Sequence, residues 1–328
     1  MNASLKAIPL ILGFSTLFAQ SWSAWLDQVK IEALKKGIRQ TVIDEAFSNV
    51  HEPSQSVKKL AGNQPEKRLS YTKYRSSRVD AYRISIGKQR YQQNKVWIDE
   101  IARQYSVDPC FMVSFWGLET SYGSYMGNFP VIQALSTLAY ESNRKDFFRD
   151  ELFLALKILN DGHVQLAKFK GEWAGASGQP QFLPSSWLKY AVDFDGDGKK
   201  DIWDSKKDAL ASIANYMNQN GWHEHQPWAV FVKLPNGFNM NLEGKGISKT
   251  VKEWEALGVR TITGERLPYP EVKASVIKPY GGPTFLAYPN YRMILRYNNS
   301  IYYAGAIGYL ADKICKRPSE TDLTHGQN

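Results

Sequence analysis

The chain has 328 residues, a formal net charge of +9, and an aromatic set that includes 10 Trp and 18 Tyr. That length can bury a large core, as one domain with an insertion or as two to three lobes. The basic residues are scattered and accompany no recognised nucleic-acid-binding motif. The charge therefore points to another polyanionic partner, and the aromatics suit a thick core or a carbohydrate cleft.

The first residues read as an address. Lys6 precedes an apolar run from Ala7 to Ala19, too short to span a membrane comfortably, and small residues follow. Residues 1–23 are expected to be a secretory signal peptide, cleaved after Ala19 or around Ser23. No Cys lies near that point, and no later segment is long and apolar enough to span. An exported, soluble protein without a membrane anchor is expected.

Beyond it, Trp25, Val29, Ala33, Val42, Ile43, Ala46 and Phe47 recur at helical spacing and predict a helix or helix pair over 25–50. Residues 51–75 are polar, contain Pro53 and Pro65, and read as an extended linker. Helices are predicted over 76–106, 109–122, 131–139, 145–160, 184–191 and 206–220. From 228 to 290 short runs such as Ala229–Val232 and Ala274–Ile277 are broken by Gly and Pro, which reads as a small β-rich insertion. A last helix is predicted over Ile301–Ile314, capped by Asn299 or Ser300. The fold class is mainly α, of the α+β kind, divided at 24–75, 76–227, 228–290 and 291–328. Cys110 and Cys315 can pair in an oxidising compartment or serve as small apolar fillers, and the sequence leaves both readings open.

The helix from Pro109 is the most informative segment. Asp108 is suited to cap it and Pro109 to its first turn, while Gly123 can end it in a left-handed conformation. It is apolar almost all round and so belongs inside. Glu119 lies near its negative end, with Phe115, Trp116, Tyr122 and Gly123 as helical neighbours. Burial and the helix dipole both disfavour the charged form, so its pKa should rise. A carboxylic acid kept protonated near neutral pH can protonate a leaving oxygen. The plainer reading is a Glu that bends out to solvent. Downstream, Gly171–Trp187 mixes small residues, Gln181 and aromatics, which suits a sugar or simply a tight loop between helices.

Three runs carry a resemblance: Trp116–Gly123, Trp173–Ser186 and Tyr190–Gly198. Arg144 with Phe147, Phe148, Glu151 and Leu152, Asn215-Tyr216, and Arg296–Ser300 before Tyr303-Ala304 extend it over roughly residues 25 to 315. The chain resembles the membrane-bound lytic transglycosylase B family, glycoside hydrolase family one hundred and three, which cleaves peptidoglycan. The resemblance implies a lysozyme-like helical core over 76–227, with Glu119 as catalytic acid/base and Gln181, Tyr216, Tyr297 and Asn298 lining a sugar cleft. Tyr122 and Glu172 are expected to contact substrate there as well. Glu172 stands where the family usually has Ser, and Ser177 where it has Met. A carboxylate at 172 could raise the Glu119 pKa by like-charge repulsion, or turn outward and do nothing.

Asp193, Asp195 and Asp197 alternate before Gly198 at the sixth position, like the start of a calcium loop. Lys199 would ligate through its carbonyl. Position twelve holds Asp204 rather than Glu, and the family's longer loop makes Asp208 the preferred last ligand. The expected ion is structural Ca2+; the alternative is an Asp/Gly turn without one. The five His are dispersed and give no zinc signature.

The resemblance thus implies a periplasmic lytic transglycosylase that acts on peptidoglycan glycan strands, with other cell-wall enzymes as further partners. Two rivals stay open. One is a hydrolytic muramidase with Glu172 activating water, the other a non-catalytic peptidoglycan-binding or scaffold protein.

Overall fold

The structure is a computed structural model that describes residues 20–62 and 69–317. The expected signal peptide lies almost wholly outside the described residues. The first described helix, α1 (Trp22–Lys35), is capped by Ser21, whose hydroxyl accepts from the Ala24 amide. It buries Trp25, Leu26, Val29 and Ala33. A glycine turn leads to α2 (Gln40–Phe47), which buries Ile43, Ala46 and Phe47.

The expected linker over 51–75 is corrected. It holds α3 (Gln55–Gly62) and most of α4 (Tyr71–Arg78). These short, polar helices bury few side chains, Val57 in the first and Tyr71 and Arg75 in the second, so no apolar period announces them. Tertiary contacts hold α4: Ser70 caps it, the Tyr71 amide donates to the Tyr280 carbonyl at 2.8 Å, and the Thr72 hydroxyl to Gly281 at 2.9 Å. The single helix expected over 76–106 is also corrected. It is interrupted after α4 and again at Asn94, giving α5 (Ala81–Gln93), capped by Asp80, and α6 (Lys95–Tyr105).

At the centre lies α7 (Pro109–Thr120), with Asp108 accepting from the Cys110 amide at 2.9 Å. Next come α8 (Val131–Glu141) and α10 (Pro184–Tyr190), both packed on α9 (Lys145–Asn160), and α11 (Lys206–Gln219), which packs on α7 and α6, all close to their expected spans. A small antiparallel pair, β1 (Phe129–Pro130) with β2 (Lys170–Gly171), fixes the loop before α10.

The strand-rich stretch forms an antiparallel sheet of five strands in the order β4-β6-β7-β3-β5. The strands are β3 (Ala229–Lys233), β4 (Lys249–Thr250), β5 (Arg260–Thr261), β6 (Lys273–Ile277) and β7 (Phe285–Ala287). A short helix, α12 (Val251–Ala256), begins with a Thr250/Glu253 capping box. Trp254, Val251, Val276 and Leu286 give this lobe its own small core. Trp228 joins the lobe to the helices: its indole donates to Asp312 at 2.9 Å and stacks on Tyr291.

Two helices close the fold, α13 (Pro289–Tyr297), which the sequence pattern did not reveal, and α14 (Ile301–Ile314), capped by Ser300. Helix α14 lies antiparallel to α7. The Ser114 hydroxyl donates to the Ile307 carbonyl at 2.7 Å between them. Cys110 and Cys315 form a disulfide, with Cα atoms 6.0 Å apart, so the pairing reading holds.

Candidate active site

Glu119 is the penultimate residue of α7. It is partly exposed as a residue while its carboxyl is enclosed by aromatic neighbours. The Tyr303 hydroxyl from α14 donates to its Oε1. Burial pushes the carboxyl up to about 7, opposed by the Tyr303 hydrogen bond and the positive charge of Arg78. Glu172 is not among the groups that act on it, so burial rather than like-charge repulsion raises the acid.

The expected stop at Gly123 is corrected as well. Helix α7 ends at Thr120, and Ser121, Tyr122 and Gly123 all have positive φ, 50°, 62° and 80°. Two of these are not glycine, and each such residue costs about 1–2 kcal/mol. The turn is held from several sides. Thr120 Oγ1 accepts from the Gly123 amide at 3.1 Å and the Tyr122 hydroxyl donates to the Arg83 carbonyl at 2.7 Å. This changes the place of Tyr122. Expected to contact substrate, it is 6% exposed, packs edge-on against Trp116, and has its hydroxyl committed to the backbone. Its ring occupies the space where a Cβ at Gly117 would be, which explains that glycine.

Beside Glu119 stands an aromatic wall. Tyr297 packs on Phe115 at 4.6 Å and on Tyr216 at 4.7 Å between ring centres. The Tyr297 hydroxyl donates to the Pro180 carbonyl, tying α13 to the loop before α10. Tyr216 is nearly buried, and desolvation pushes its phenol up to about 12. Asn298 is exposed at the end of α13, with Oδ1 accepting from the Ser300 amide at 3.2 Å. Gln181 has φ 51°, and its Nε2 donates to the carbonyls of Met126 and Gly178 at 3.1 and 2.9 Å. Its Oε1 is enclosed without a partner. Glu172 is half-buried in the same loop, and its carboxylate has no hydrogen bond or ion pair among the described residues.

The loop is anchored by a residue that sequence reading passed over. Gln179, 3% exposed, accepts from Trp116 Nε1 at 2.8 Å and donates to the Trp203 carbonyl at 3.1 Å. It therefore connects the Glu119 helix to the acidic loop. Glu151, 3% exposed, plays a similar part for α10: its two oxygens accept from the amide and hydroxyl of Ser185 at 2.9 and 2.5 Å. Tyr303, Tyr74 and Arg78 were also missed as site residues. A polar residue that recurs on the buried face of a helix was the available signal for Tyr303; for α4 there was none.

In the acidic loop, carboxylate oxygens of Asp193, Asp195 and Asp197 lie within 4.8 Å of one another. Asp193 also accepts from the amides of Gly196 and Gly198 at 2.7 and 2.8 Å, and Asp197 from that of Lys199 at 2.8 Å. Converging hard oxygens of this kind fit a calcium ion. Asp208 is a correction. It is fully buried and absent from that triad, and its oxygens accept from the amides of Phe194, Asp195 and Asp201. It organises the loop from behind, because a carboxylate facing three amide donors is already satisfied. Asp204, at position twelve, pairs with Lys168.

The family described as the transglycosylase SLT domain matches residues 21–312. The membrane-bound lytic murein transglycosylase B of Escherichia coli (strain K12) is 31% identical over 271 residues, 80% of this chain and 71% of that protein. SltB3 of Pseudomonas aeruginosa, solved with a NAG-anhNAM-pentapeptide, is 43% identical with a TM-score of 0.87, covering 90% of this chain and 80% of that one. The E. coli lytic transglycosylase Slt35, solved with calcium, is 28% identical with a TM-score of 0.78, covering 89% of this chain and 92% of that one. The chain belongs to the lytic transglycosylase family defined by the transglycosylase SLT domain.

Proposed function

We propose that this enzyme cleaves the bond between N-acetylmuramic acid and N-acetylglucosamine in peptidoglycan, with Glu119 as the single acid and base. The observation that carries the reading is a carboxyl raised to about 7 by burial yet held by the Tyr303 hydroxyl. Such a group is substantially protonated at neutral pH and can also bear a charge once its proton is given away.

Glu119 protonates the leaving glycosidic oxygen, and the bond to the anomeric carbon breaks. The carboxylate then takes the proton of the muramic acid 6-hydroxyl as that oxygen attacks the same carbon. A 1,6-anhydro ring results and no water is consumed. One carboxyl suffices because the nucleophile is tethered within the substrate, at a high effective concentration. Glu172 and Asn298 offer the sugar polar contacts, Gln181 braces the loop beside them through the Met126 and Gly178 carbonyls, and Tyr216 and Tyr297 stiffen the wall behind them.

Asp193, Asp195 and Asp197 would hold a structural Ca2+, with the Lys199 carbonyl. Bound there, the ion would neutralise three crowded carboxylates in the loop that Gln179 joins to α7. No described helix is long and apolar enough to cross a membrane, and residues 1–23 suit export to the periplasm, where peptidoglycan strands and other cell-wall enzymes are the partners.

Glu119→Gln tests the assignment. Gln keeps the shape but carries no acidic proton, so turnover on purified sacculi should fall at least about a hundredfold while sugar binding persists. A variant that digests sacculi at nearly the wild-type rate would refute it.

A further inference from the structure

We infer that Gln179 is a positioning residue for proton transfer: its side-chain amide fixes the last turn of α7, which carries Glu119, against Ile202 and Trp203 of the acidic loop. The inference rests on the reading of Glu119 as acid and base.

The amide is held between two partners that cannot exchange roles. Trp116 Nε1 donates to its Oε1 at 2.8 Å, and its Nε2 donates to the Trp203 carbonyl at 3.1 Å. An indole N–H only donates and a carbonyl only accepts, so the chemistry sets which way the amide faces. A glutamate carboxylate has no proton for the Trp203 carbonyl, methionine satisfies neither partner, and asparagine is one methylene short. The backbone adds two bonds. The Gln179 amide donates to the Ile202 carbonyl at 2.9 Å, and its carbonyl accepts from Thr120 Oγ1 at 3.0 Å. Gln179, Thr120 and Trp116 are all buried, so bulk water does not stand in for a lost partner.

These contacts close on the residues that flank Glu119. Trp116 lies one helical turn before it, and Thr120 follows it directly. Gly123, in the left-handed turn beyond, has φ 80°, and a Cβ there would lie 2.7 Å from Gln179 Oε1. One oxygen thus meets the chain on both sides of the acid. The far anchor is tight as well. A Cβ at Gly178 would lie 2.7 Å from the Ile202 side chain, and the Trp203 amide donates to Asp201 Oδ1 at 2.9 Å. A shift of the Gln179 amide therefore moves the last turn of α7, where a misplacement of about 1 Å can cost roughly a hundredfold in rate. Gln179 is neutral and is not among the groups that set the acidity of Glu119, so it governs place rather than proton affinity.

The test compares Gln179→Met and Gln179→Glu in the mature enzyme, reading kcat and KM on soluble glycan strands across pH, well below both melting temperatures. Met keeps the length and loses both side-chain bonds. It should lower kcat roughly ten- to a hundredfold, with KM and the pH of the alkaline limb little changed. Glu, protonated at acid pH, has an O–H for Trp203 and an oxygen for Trp116. Its kcat relative to wild type should be close to one there and fall toward the Met value as pH rises. A Met variant with the wild-type kcat, a loss confined to KM, or a Glu variant as slow as Met at every pH would overturn the inference. If the Met variant does not fold, the Glu variant decides alone. Glu119→Gln is assayed alongside. If it stays active, the acid/base reading fails and takes this inference with it; if it is dead while Gln179→Met turns over at the wild-type rate, only this inference fails.

Discussion

The Tyr303 hydroxyl donates to Glu119 at one end of an antiparallel helix pair, and the Cys110–Cys315 disulfide closes the other. Between them Ser114 donates to the Ile307 carbonyl, and beyond the disulfide Arg317 pairs with Asp108. The acid is therefore aimed by a helix whose register against its neighbour is fixed at both ends.

Tyr303→Phe should keep the fold and weaken catalysis. It removes a hydrogen bond to a charged group, worth about 1.5–3 kcal/mol, when Glu119 is a carboxylate. A fall in kcat of roughly ten- to a hundredfold is expected, with the alkaline limb moved upward because the anion has lost a donor. Unchanged kinetics would mean that the contact is incidental.

Activity should follow the protonation of Glu119. With its carboxyl at about 7, the acid form is abundant at pH 6 and scarce at pH 8, so kcat should fall as pH rises through that value. Asp312, pushed up to about 7 by burial, gives a matching effect on stability. Its folded pKa exceeds the unfolded value, so the stability it contributes is full at acid pH and is lost as pH rises toward and through about 7. Asp312→Asn should flatten the pH dependence of the melting temperature over that window. A slope as steep as in the wild type would place its origin elsewhere.

Calcium should stabilise the fold by binding only the folded loop, about 2.7 kcal/mol when the ion is a hundredfold above its dissociation constant. Chelation should lower the melting temperature, and calcium should restore it better than magnesium, which demands a tighter octahedral shell. Asp193→Ala or Asp197→Ala should abolish the response. Asp208→Ala should unfold the loop with or without the ion, because Asp208 holds its amides. A melting curve indifferent to chelator, on metal-free protein, would reduce the loop to a turn.

Reduction of Cys110–Cys315, or Cys315→Ser, should cost about 2–5 kcal/mol, since the crosslink spans 205 residues. It should also lower kcat relative to an enzyme matched for stability, because the α7–α14 register would loosen. A purely thermal effect would make the bond a staple without a role in aim.

What was legible in the sequence was local. The Asp108 cap, the apolar faces of α7 and the placement of Glu119 at its end need only neighbours within one helix. The loop triad Asp193, Asp195 and Asp197 is likewise a matter of spacing. What failed depended on distant partners. Helix α4 carries Tyr, Lys, Arg and Ser with hardly an apolar stripe, and it exists because the loop at Tyr280 and Gly281 receives it. The influence of its Arg78 charge on Glu119 was therefore invisible. Tyr122 was misplaced because a left-handed turn sends its ring under Gly117, and Asp208 because three amides reach it from a loop seven to fourteen residues earlier.

The most direct measurement is the mass of the muropeptides released from purified sacculi by the wild-type enzyme. Single-carboxyl chemistry predicts 1,6-anhydro-muramic ends and none from Glu119→Gln. Hydrated reducing ends, giving way to anhydro ends in Glu172→Ser, would contradict it and make Glu172 a base that activates water.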